Sequence, residues 1–189
     1  METISRLKMN TKEQINIILD NFTKMLFRRG LIDNQKTTLN KLLNIEDNNK
    51  EIYTWDDFFC VIIFQKINGI KKGSDIEEQL VKSKEKYKFV IVSESTNKTY
   101  SQIKDFNAEL FTVVEFLSDI PSNPLVPLHI LMSEEDKTKV LQVYKEKNIA
   151  KILNDDMMVR YIGAKKGDLI KIIRPTFNTG ESVYYRRVI

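Results

Sequence analysis

Side chains that commonly perform chemistry are scarce in this sequence, which has one histidine and one cysteine in 189 residues. A zinc site of the His/Cys type needs several such ligands, and nucleophilic catalysis needs a nucleophile paired with a base, so the composition offers neither. His129 lies between Leu128 and Ile130, which favours a structural imidazole bonded to the backbone over a catalytic base. Cys60 lies inside an apolar run and is predicted to be a small core residue.

One group of charges has the Glu-x-Lys spacing of metal-dependent nucleases, at Glu135-Asp136-Lys137. Ser133 precedes it and predicts a helix N-terminus, where acidic residues favour the positive end of the helix dipole. Asp56-Asp57 precede an apolar strand candidate at Phe58–Phe64, but Gln65-Lys66 after that run supplies no carboxylate. We therefore predict no metal site, no cofactor and no catalytic residue.

Basic residues are concentrated at the end of the chain. Residues 151–189 hold eight Lys or Arg against four Asp or Glu, which accounts for the whole net charge of +4. Two of the lysines lie in Ala164-Lys165-Lys166, a basic turn bracketed by Gly163 and Gly167. Such a segment could neutralise nucleic-acid phosphates, bind an acidic protein surface, or form a solvated face.

The hydrophobic pattern predicts an α/β chain, because strand candidates alternate with helical segments. Apolar runs stay well below the roughly 20 residues of a membrane span, and no signal-peptide core is present, so we expect an intracellular or packaged protein. The single cysteine suits a reducing compartment. The predicted elements of the first part are a helix from Asn10 or Thr11 to Gly30, a short helix at Leu39–Leu43, a strand at Phe58–Phe64, a helix at Asp75–Lys82, a strand at Phe89–Val92, a polar turn at Ser93–Tyr100, a helix containing Lys104 and a strand at Leu110–Leu117.

The last third predicts a small α/β unit that ends in a β-hairpin. Its elements are a helix capped by Ser133, a strand at Leu169–Ile173, a turn marked by Pro175, Asn178 and Gly180, and a strand at Ser182–Ile189. A linker with two prolines, Pro121-Ser122-Asn123-Pro124, precedes this unit.

This ordered set of motifs resembles the fifth common subunit of eukaryotic nuclear RNA polymerases, and its last third resembles the shorter archaeal RNA polymerase subunit of the same family. The resemblance runs through LVPLH at Leu125–His129, SEE at Ser133–Glu135, VRYIGAKKGDLIKIIRP at Val159–Pro175, TG at Thr179–Gly180 and YYR at Tyr184–Arg186. FVIV at Phe89–Val92 and FTVVEFLSDI at Phe111–Ile120 extend it more weakly to the first part, which the archaeal protein lacks. Two family prolines are missing, in Ile149–Ile152 and at Asp156-Met157, which leaves the backbone there less restricted.

The resemblance implies two domains and a non-catalytic role in a DNA-directed RNA polymerase. Residues 1–120 would form a restriction-endonuclease-like jaw domain without nuclease activity, 121–124 a linker, and 125–189 an assembly domain. The assembly domain is expected to dock on the largest subunit, near other small subunits. Its expected interface residues are Arg160, Tyr161, Lys165, Lys166, Lys171, Arg174, Tyr185 and Arg186; its structural positions are His129, Gly163, Gly167 and Gly180.

The resemblance also implies that the jaw domain approaches downstream duplex DNA through Thr96-Asn97-Lys98-Thr99, where the family has Thr-Pro-Ser-Ala. A solvated hairpin tip is the alternative for this segment. No membrane or small-molecule partner is expected. The many Lys, Asn and Ile residues suggest an AT-rich genome, and so either a divergent cellular protein in the nucleus or a large DNA virus, in the virion or viral factory. A free-standing DNA-binding protein or an inactive nuclease remnant is the alternative function.

Overall fold

A computed structural model describes residues 2–7, 9–33, 45–47, 50–55, 57–176 and 180–189. The chain forms two compact units. Unit 1 comprises Met1–Lys24 and Asp33–Ser118, and unit 2 comprises Met25–Ile32 and Asp119–Ile189. Each unit holds one sheet with helices, which confirms the prediction of an α/β chain.

Unit 1 is built on a five-stranded sheet with the order β1-β2-β3-β4-β5. The first three strands pair antiparallel, and β3, β4 and β5 run parallel. Its strands are β1 Ile45–Asp47, β2 Lys50–Trp55, β3 Phe58–Ile67, β4 Tyr87–Ser95 and β5 Ala108–Thr112. Its helices are α1 Glu2–Leu7, most of α2 Thr11–Arg28, α3 Asp75–Lys82, α4 Asn97–Asp105 and α5 Val113–Phe116.

Both faces of this sheet carry apolar side chains, as expected for parallel strands covered on both sides. On one face, alternate residues of β3 and β4 pack with α3 and α4 around Leu80 and Ile103. On the other face, Phe22 of α2 meets Phe89 of β4 edge-to-face, with ring centroids 5.0 Å apart. Phe116 extends this aromatic cluster, at 5.7 Å from Phe22.

The predicted strand at Phe58–Phe64 and the predicted helices at Thr11–Gly30 and Asp75–Lys82 are confirmed. Asn10 caps α2, since its Oδ1 accepts from the Glu13 amide at 2.9 Å. The short helix predicted at Leu39–Leu43 lies outside the described residues.

Two predicted elements of unit 1 are wrong. The predicted strand Leu110–Leu117 ends at Thr112, and the chain then turns into α5. Glu115 explains this change, because its carboxylate accepts from the Thr112 amide at 2.6 Å, as in a capping box. The polar turn predicted at Ser93–Tyr100 is instead the end of β4 followed directly by α4, with Thr96 as the N-cap.

Unit 2 has a four-stranded sheet with the order β6-β8-β9-β7, formed by β6 Leu128–Leu131, β8 Leu169–Thr176, β9 Gly180–Val188 and β7 Ala150–Ile152. Strands β6, β8 and β9 are antiparallel, so β8 and β9 form the predicted terminal hairpin, and β7 runs parallel to β9. Ser133 caps α6, Glu134–Val143, as predicted, and Asp156 caps α7, Met157–Tyr161. The turn positions Asn178 and Thr179 lie outside the described residues.

The main core cluster of unit 2 lies on one face of this sheet, and on the other face Leu169 is buried at 1% exposure. The members of the main cluster are Val159, Ala164, Ile170, Ile172 and Val188. Met157 is the first residue of α7, a position where proline fits a helix well, so the missing family proline does not alter the helix start.

Candidate functional site

Two rows of side chains cross the sheet of unit 2 on the face opposite its core. In the first row, Leu128 of β6 pairs with Ile173 of β8, which pairs with Val183 of β9. In the second row, Ile130 and Tyr185 flank Lys171 in the same way. Successive strand residues alternate between faces, and the core residues of β8 are the intervening positions, so both rows lie on the outer face. We call these six residues the outer rows.

The outer rows are mostly apolar and partly exposed. Leu128 is 58%, Ile130 40% and Val183 46% exposed, while Ile173 and Tyr185 are half-buried. Large hydrophobic side chains clustered on an exposed face are typical of a surface that another molecule covers.

The helix that follows β6, α6, also buries little of its side-chain surface. Among the ten residues of α6 none is buried, and Val143 is 75% exposed. Beyond the helix, Tyr144 contacts Tyr185, with ring centroids 6.0 Å apart, and Glu146 accepts from Arg187 at 2.8 Å. Helix α6 thus adds exposed apolar surface next to the sheet.

The structure divides the predicted interface residues between the two faces of this sheet. Lys171 and Tyr185 lie in the second outer row. Arg174 and Arg186 occupy the alternate positions, on the face that carries the core, where the Arg174 guanidinium lies 5.5 Å from the ring centre of Tyr184. The eight predicted residues therefore do not form one continuous surface.

Tyr161 is buried, at 5% exposure, although its motif position suggested an exposed contact residue. Its hydroxyl accepts a hydrogen bond from Arg28 Nη1 at 2.7 Å, and Arg28 Nη2 also donates to Asp119 Oδ2 at 2.9 Å. Burial raises the pKa of the Tyr161 hydroxyl, and hydrogen bonding to Asp119 raises the pKa of Arg28. Tyr161 therefore anchors the segment Met25–Ile32 within unit 2.

Arg160, the neighbour of Tyr161, is half-buried, and its carbonyl accepts from Arg29. Arg29 Nε also donates to the Tyr161 carbonyl at 2.9 Å. The Arg29 guanidinium would lie 3.3 Å from a Cβ added at Gly163, whose φ is +73°. The glycine thus permits both the turn after α7 and the close approach of Arg29.

The basic turn after Gly163 presents Lys165 and Lys166 to solvent. Asp168 closes the turn, since its carboxylate accepts from the Lys165 amide at 2.6 Å. Gly167 has a φ of +96°, and its amide donates to the Val188 carbonyl at 3.0 Å, which joins the turn to β9.

The two remaining structural positions lie at the ends of strands. Nδ1 of His129 is 2.7 Å from the Pro127 carbonyl oxygen, within hydrogen-bond distance. Gly180 has a φ of +74° at the start of β9.

The segment considered for DNA contact forms the N-terminus of α4. Thr99 is fully buried, and its hydroxyl donates to the Ile67 carbonyl at 2.9 Å, so this side chain is not available to a ligand. Thr96 caps the helix, which leaves Asn97 and Lys98 as the exposed pair. The helix start is also held by Gln102, which accepts from the Ile70 amide at 2.8 Å and donates to its carbonyl at 3.2 Å. The segment is therefore a fixed helix end rather than the polar turn that the sequence suggested.

Within the described ranges, no cluster of three or more His, Cys, Asp or Glu side chains could hold a metal ion. Cys60 is fully buried, and burial raises the pKa of its thiol. Among the helices that the structure describes, none is long and apolar enough to cross a bilayer.

Sequence reasoning missed the apolar members of the outer rows, Leu128, Ile130, Ile173 and Val183. A signal existed: apolar residues at alternate positions of β6 and β9 face away from the positions that build the core. The interpretation favoured charged residues in the motifs, and so it selected Lys171 but not its neighbours.

Comparison with known proteins gives a family match over this same unit. The model for "RNA polymerase Rpb5, C-terminal domain" matches residues 118–188. These residues include all of β6 to β9 and both outer rows.

Known relatives include viral, eukaryotic and archaeal proteins. DNA-directed RNA polymerase subunit 5 of Acanthamoeba polyphaga mimivirus is 30% identical over 201 residues, an alignment that covers 100% of this chain and 98% of that protein. The subunit rpabc1 of RNA polymerases I, II and III of Dictyostelium discoideum is 37% identical over 89 residues, which are 46% of this chain and 45% of that protein. Subunit Rpo5 of Archaeoglobus fulgidus is 40% identical over 67 residues, 34% of this chain and 88% of that protein.

Proposed function

The chain belongs to the Rpb5 family of DNA-directed RNA polymerase subunits, and from this premise we propose that unit 2 docks it on the largest polymerase subunit while unit 1 approaches downstream DNA. Transcription is therefore the process it serves. The finer assignments rest on the surfaces of each unit.

The outer rows carry the docking proposal. Leu128, Ile173 and Val183 form an uninterrupted apolar row across three strands, and two of them are close to half exposed. Covering apolar area of this kind contributes roughly 25 cal/mol per Å² removed from water. A protein partner can cover both the rows and α6 with apolar side chains. A nucleic-acid backbone is charged and hydrated, so it would leave these apolar side chains in contact with water.

The charged residues around these rows would orient the partner. Lys171 lies within the second row, and Lys165 and Lys166 lie exposed in the turn before β8. Acidic side chains opposite such residues set register and association rate more than affinity. Tyr185 is proposed as a contact within the second row, Arg160, Arg174 and Arg186 as contacts at the margin, and Tyr161 as the residue that positions Arg28.

For unit 1, we assign the jaw role and the downstream DNA contact to the N-terminus of α4. Backbone amides and the helix dipole favour a phosphate there, and Lys98 adds a positive charge. Asn97 can donate to a phosphate oxygen through its amide. Contacts of this type position a duplex without reading its sequence.

We place the domain boundary of the assembly unit in the linker at residues 121–124, between a jaw domain of residues 1–120 and an assembly domain of residues 125–189. Met25–Ile32 would accompany the assembly domain, because Arg28 and Arg29 hydrogen-bond to Tyr161. A fragment of residues 125–189 should therefore melt cooperatively but below the full chain, and a fragment without a thermal transition would contradict this boundary.

The proposed role is non-catalytic, with nucleotide addition left to the large subunits. The full-length viral relative favours a viral polymerase in the virion or viral factory, and the eukaryotic relatives favour the nucleus if the chain is cellular. A free-standing DNA-binding protein is the alternative, which relatives named as polymerase subunits do not favour.

Affinity purification of the tagged chain from its native cells tests the proposal. Stoichiometric recovery of very large polymerase subunits, stable to salt, is the expected result. Recovery of the chain alone, with DNA binding that falls steeply with salt, would support the free-standing alternative.

A further inference from the structure

A second basic cluster lies in unit 1, at the end of β4 far from α4. We propose that Lys84, Lys86 and Lys88 form a phosphate-binding site that holds one backbone phosphate of duplex DNA. The inference rests on the proposed function for the identity of the nucleic acid. We call these three residues the lysine cluster.

Strand register places the cluster on one face of the sheet. Lys88 pairs with Phe59 of β3, and Phe59 pairs with Thr54 of β2, so Thr54 and Lys88 share a face. Lys86 reaches the same face, because its Nζ donates to Thr54 Oγ1 at 2.8 Å. Lys84 lies close enough to lower the pKa of Lys88 by charge repulsion. Lys86 and Lys88 therefore share a sheet face with the Thr54 hydroxyl at the start of β4, and Lys84 precedes them in the chain.

Lys88 is the unusual member, because it is only 6% exposed. Desolvation lowers the pKa of its ammonium, with the repulsion from Lys84 as the second cause. In the part of the chain that the structure describes, no carboxylate forms an ion pair with any of the three lysines, although Glu85 lies between two of them in sequence. Elsewhere in unit 1, Lys50 pairs with Asp75 and Lys66 pairs with Glu94.

A desolvated charge beside like charges destabilises the fold unless an anion completes it. A loss of folding stability of this kind is typical of binding sites, where residues are arranged for the ligand rather than for the stability of the fold. A lysine ammonium binds phosphate as a point charge. It does not need the planar, two-bond geometry with which arginine binds a carboxylate. A tetrahedral phosphate can accept from several ammonium groups and from the Thr54 hydroxyl at once.

The cluster is distinct from the α4 contact. Lys88 and Thr96 lie at opposite ends of β4, about 26 Å apart along the strand at roughly 3.3 Å per residue. One DNA duplex could contact both the lysine cluster and the N-terminus of α4 only at separate points along its length. Each site can therefore be tested without the other.

Fluorescence anisotropy of the purified full chain with a short labelled DNA duplex, titrated with KCl, tests the site. The double variant Lys84→Glu/Lys86→Glu should bind more weakly and lower the salt slope by about one, since the proposed site neutralises one phosphate. Lys82→Glu is the matched control, because Lys82 lies in the same segment but pairs with Glu78, and it should leave the slope nearly unchanged. Unlabelled nucleoside triphosphate and poly-glutamate serve as competitors that distinguish the source of the anion.

Each outcome decides the inference. An unchanged slope in the double variant, or an equal loss in the control, overturns it. Displacement of the labelled duplex at a lower concentration of poly-glutamate than of unlabelled duplex would assign the cluster to an acidic protein and also overturn it. Loss of polymerase recovery in the purification above would instead count against the proposed function.

Lys88→Met provides a second readout that a structural lysine would not give. It should weaken duplex binding, yet its melting temperature should equal or exceed that of the wild type, because the substitution removes an unpaired desolvated charge. A lower melting temperature would show that Lys88 supports the fold and would contradict the site.

Discussion

The two units differ in how much of their apolar surface they bury alone. Unit 1 supplies most of the buried hydrophobic residues among those described, on both faces of its sheet. Unit 2 supplies most of the exposed large hydrophobic residues, and its main core cluster occupies one sheet face. A small unit with one open face has little burial to offset its conformational entropy. The difference is consistent with a more self-contained core in unit 1 and with the proposed docking of unit 2 on a partner.

Truncating the aromatic core of unit 1 should have the largest effect on stability. Phe89 is 1% exposed and meets Phe22 edge-to-face. Phe89→Ala should lower the free energy of unfolding by about 3–5 kcal/mol, through lost burial and the cavity left behind. Urea denaturation measures this free energy of unfolding. The control is Val114→Ala, at a position 44% exposed, which should change the free energy of unfolding little. Similar losses for both variants would contradict a closed core in unit 1.

Gly167→Val should cost about 1–3 kcal/mol, because a β-branched residue is strained at a φ of +96°. A Cβ added at Gly167 meets no heavy atom within 4 Å, so backbone strain is the expected cause. Since the Gly167 amide joins the turn to β9, polymerase incorporation should fall as well. Lys166→Val, at an exposed position of the same turn, is the control. Normal incorporation of Gly167→Val would count against docking through this sheet.

Tyr161→Phe should cost about 1 kcal/mol, because it removes the acceptor of one Arg28 hydrogen bond and keeps the ring. Thermal melting measures the change, with Tyr144→Phe as an exposed control. An unchanged melting temperature for Tyr161→Phe would mean that Asp119 and Ser122 are sufficient acceptors for Arg28.

Lys98→Glu should have the smallest effect, leaving stability and assembly unchanged. Losing one phosphate contact should lower the salt slope of elongation-complex stability by about one. Asn97→Ala, which keeps the net charge, is the matched comparison and should alter affinity without altering the slope. If elongation-complex stability at low salt is identical for Lys98→Glu and wild type, the N-terminus of α4 does not contact DNA.

Local rules predicted much of the fold. The buried run of β3 and the Ser133 cap follow from residue types within a few positions. The strand predicted through Leu117 was wrong because apolar content outweighed a capping box at Thr112 and Glu115 that was present in the sequence. The hydrogen bonds of Arg28 with Tyr161 and Asp119 could not be predicted from spacing, because they join residues 91 and 133 positions apart.

The candidate surfaces were harder to predict than the fold. Motif positions selected Tyr161 and Thr99 for their polar groups, and both are buried with their hydroxyls engaged. Whether a polar group faces solvent depends on tertiary packing. The outer rows are the opposite case, because apolar residues stay exposed where no part of the described chain covers them.

Reconstitution of the polymerase with the double variant Leu128→Glu/Val183→Glu tests the docking of unit 2 most directly. Both side chains are exposed, so the isolated chain should keep its melting temperature within a few degrees. Burying two new carboxylates against an apolar partner costs several kcal/mol, so incorporation should be lost. The matched control, Val81→Glu/Val114→Glu on unit 1, should assemble normally, since both of its positions are also exposed. Normal incorporation of the Leu128→Glu/Val183→Glu variant would contradict the account.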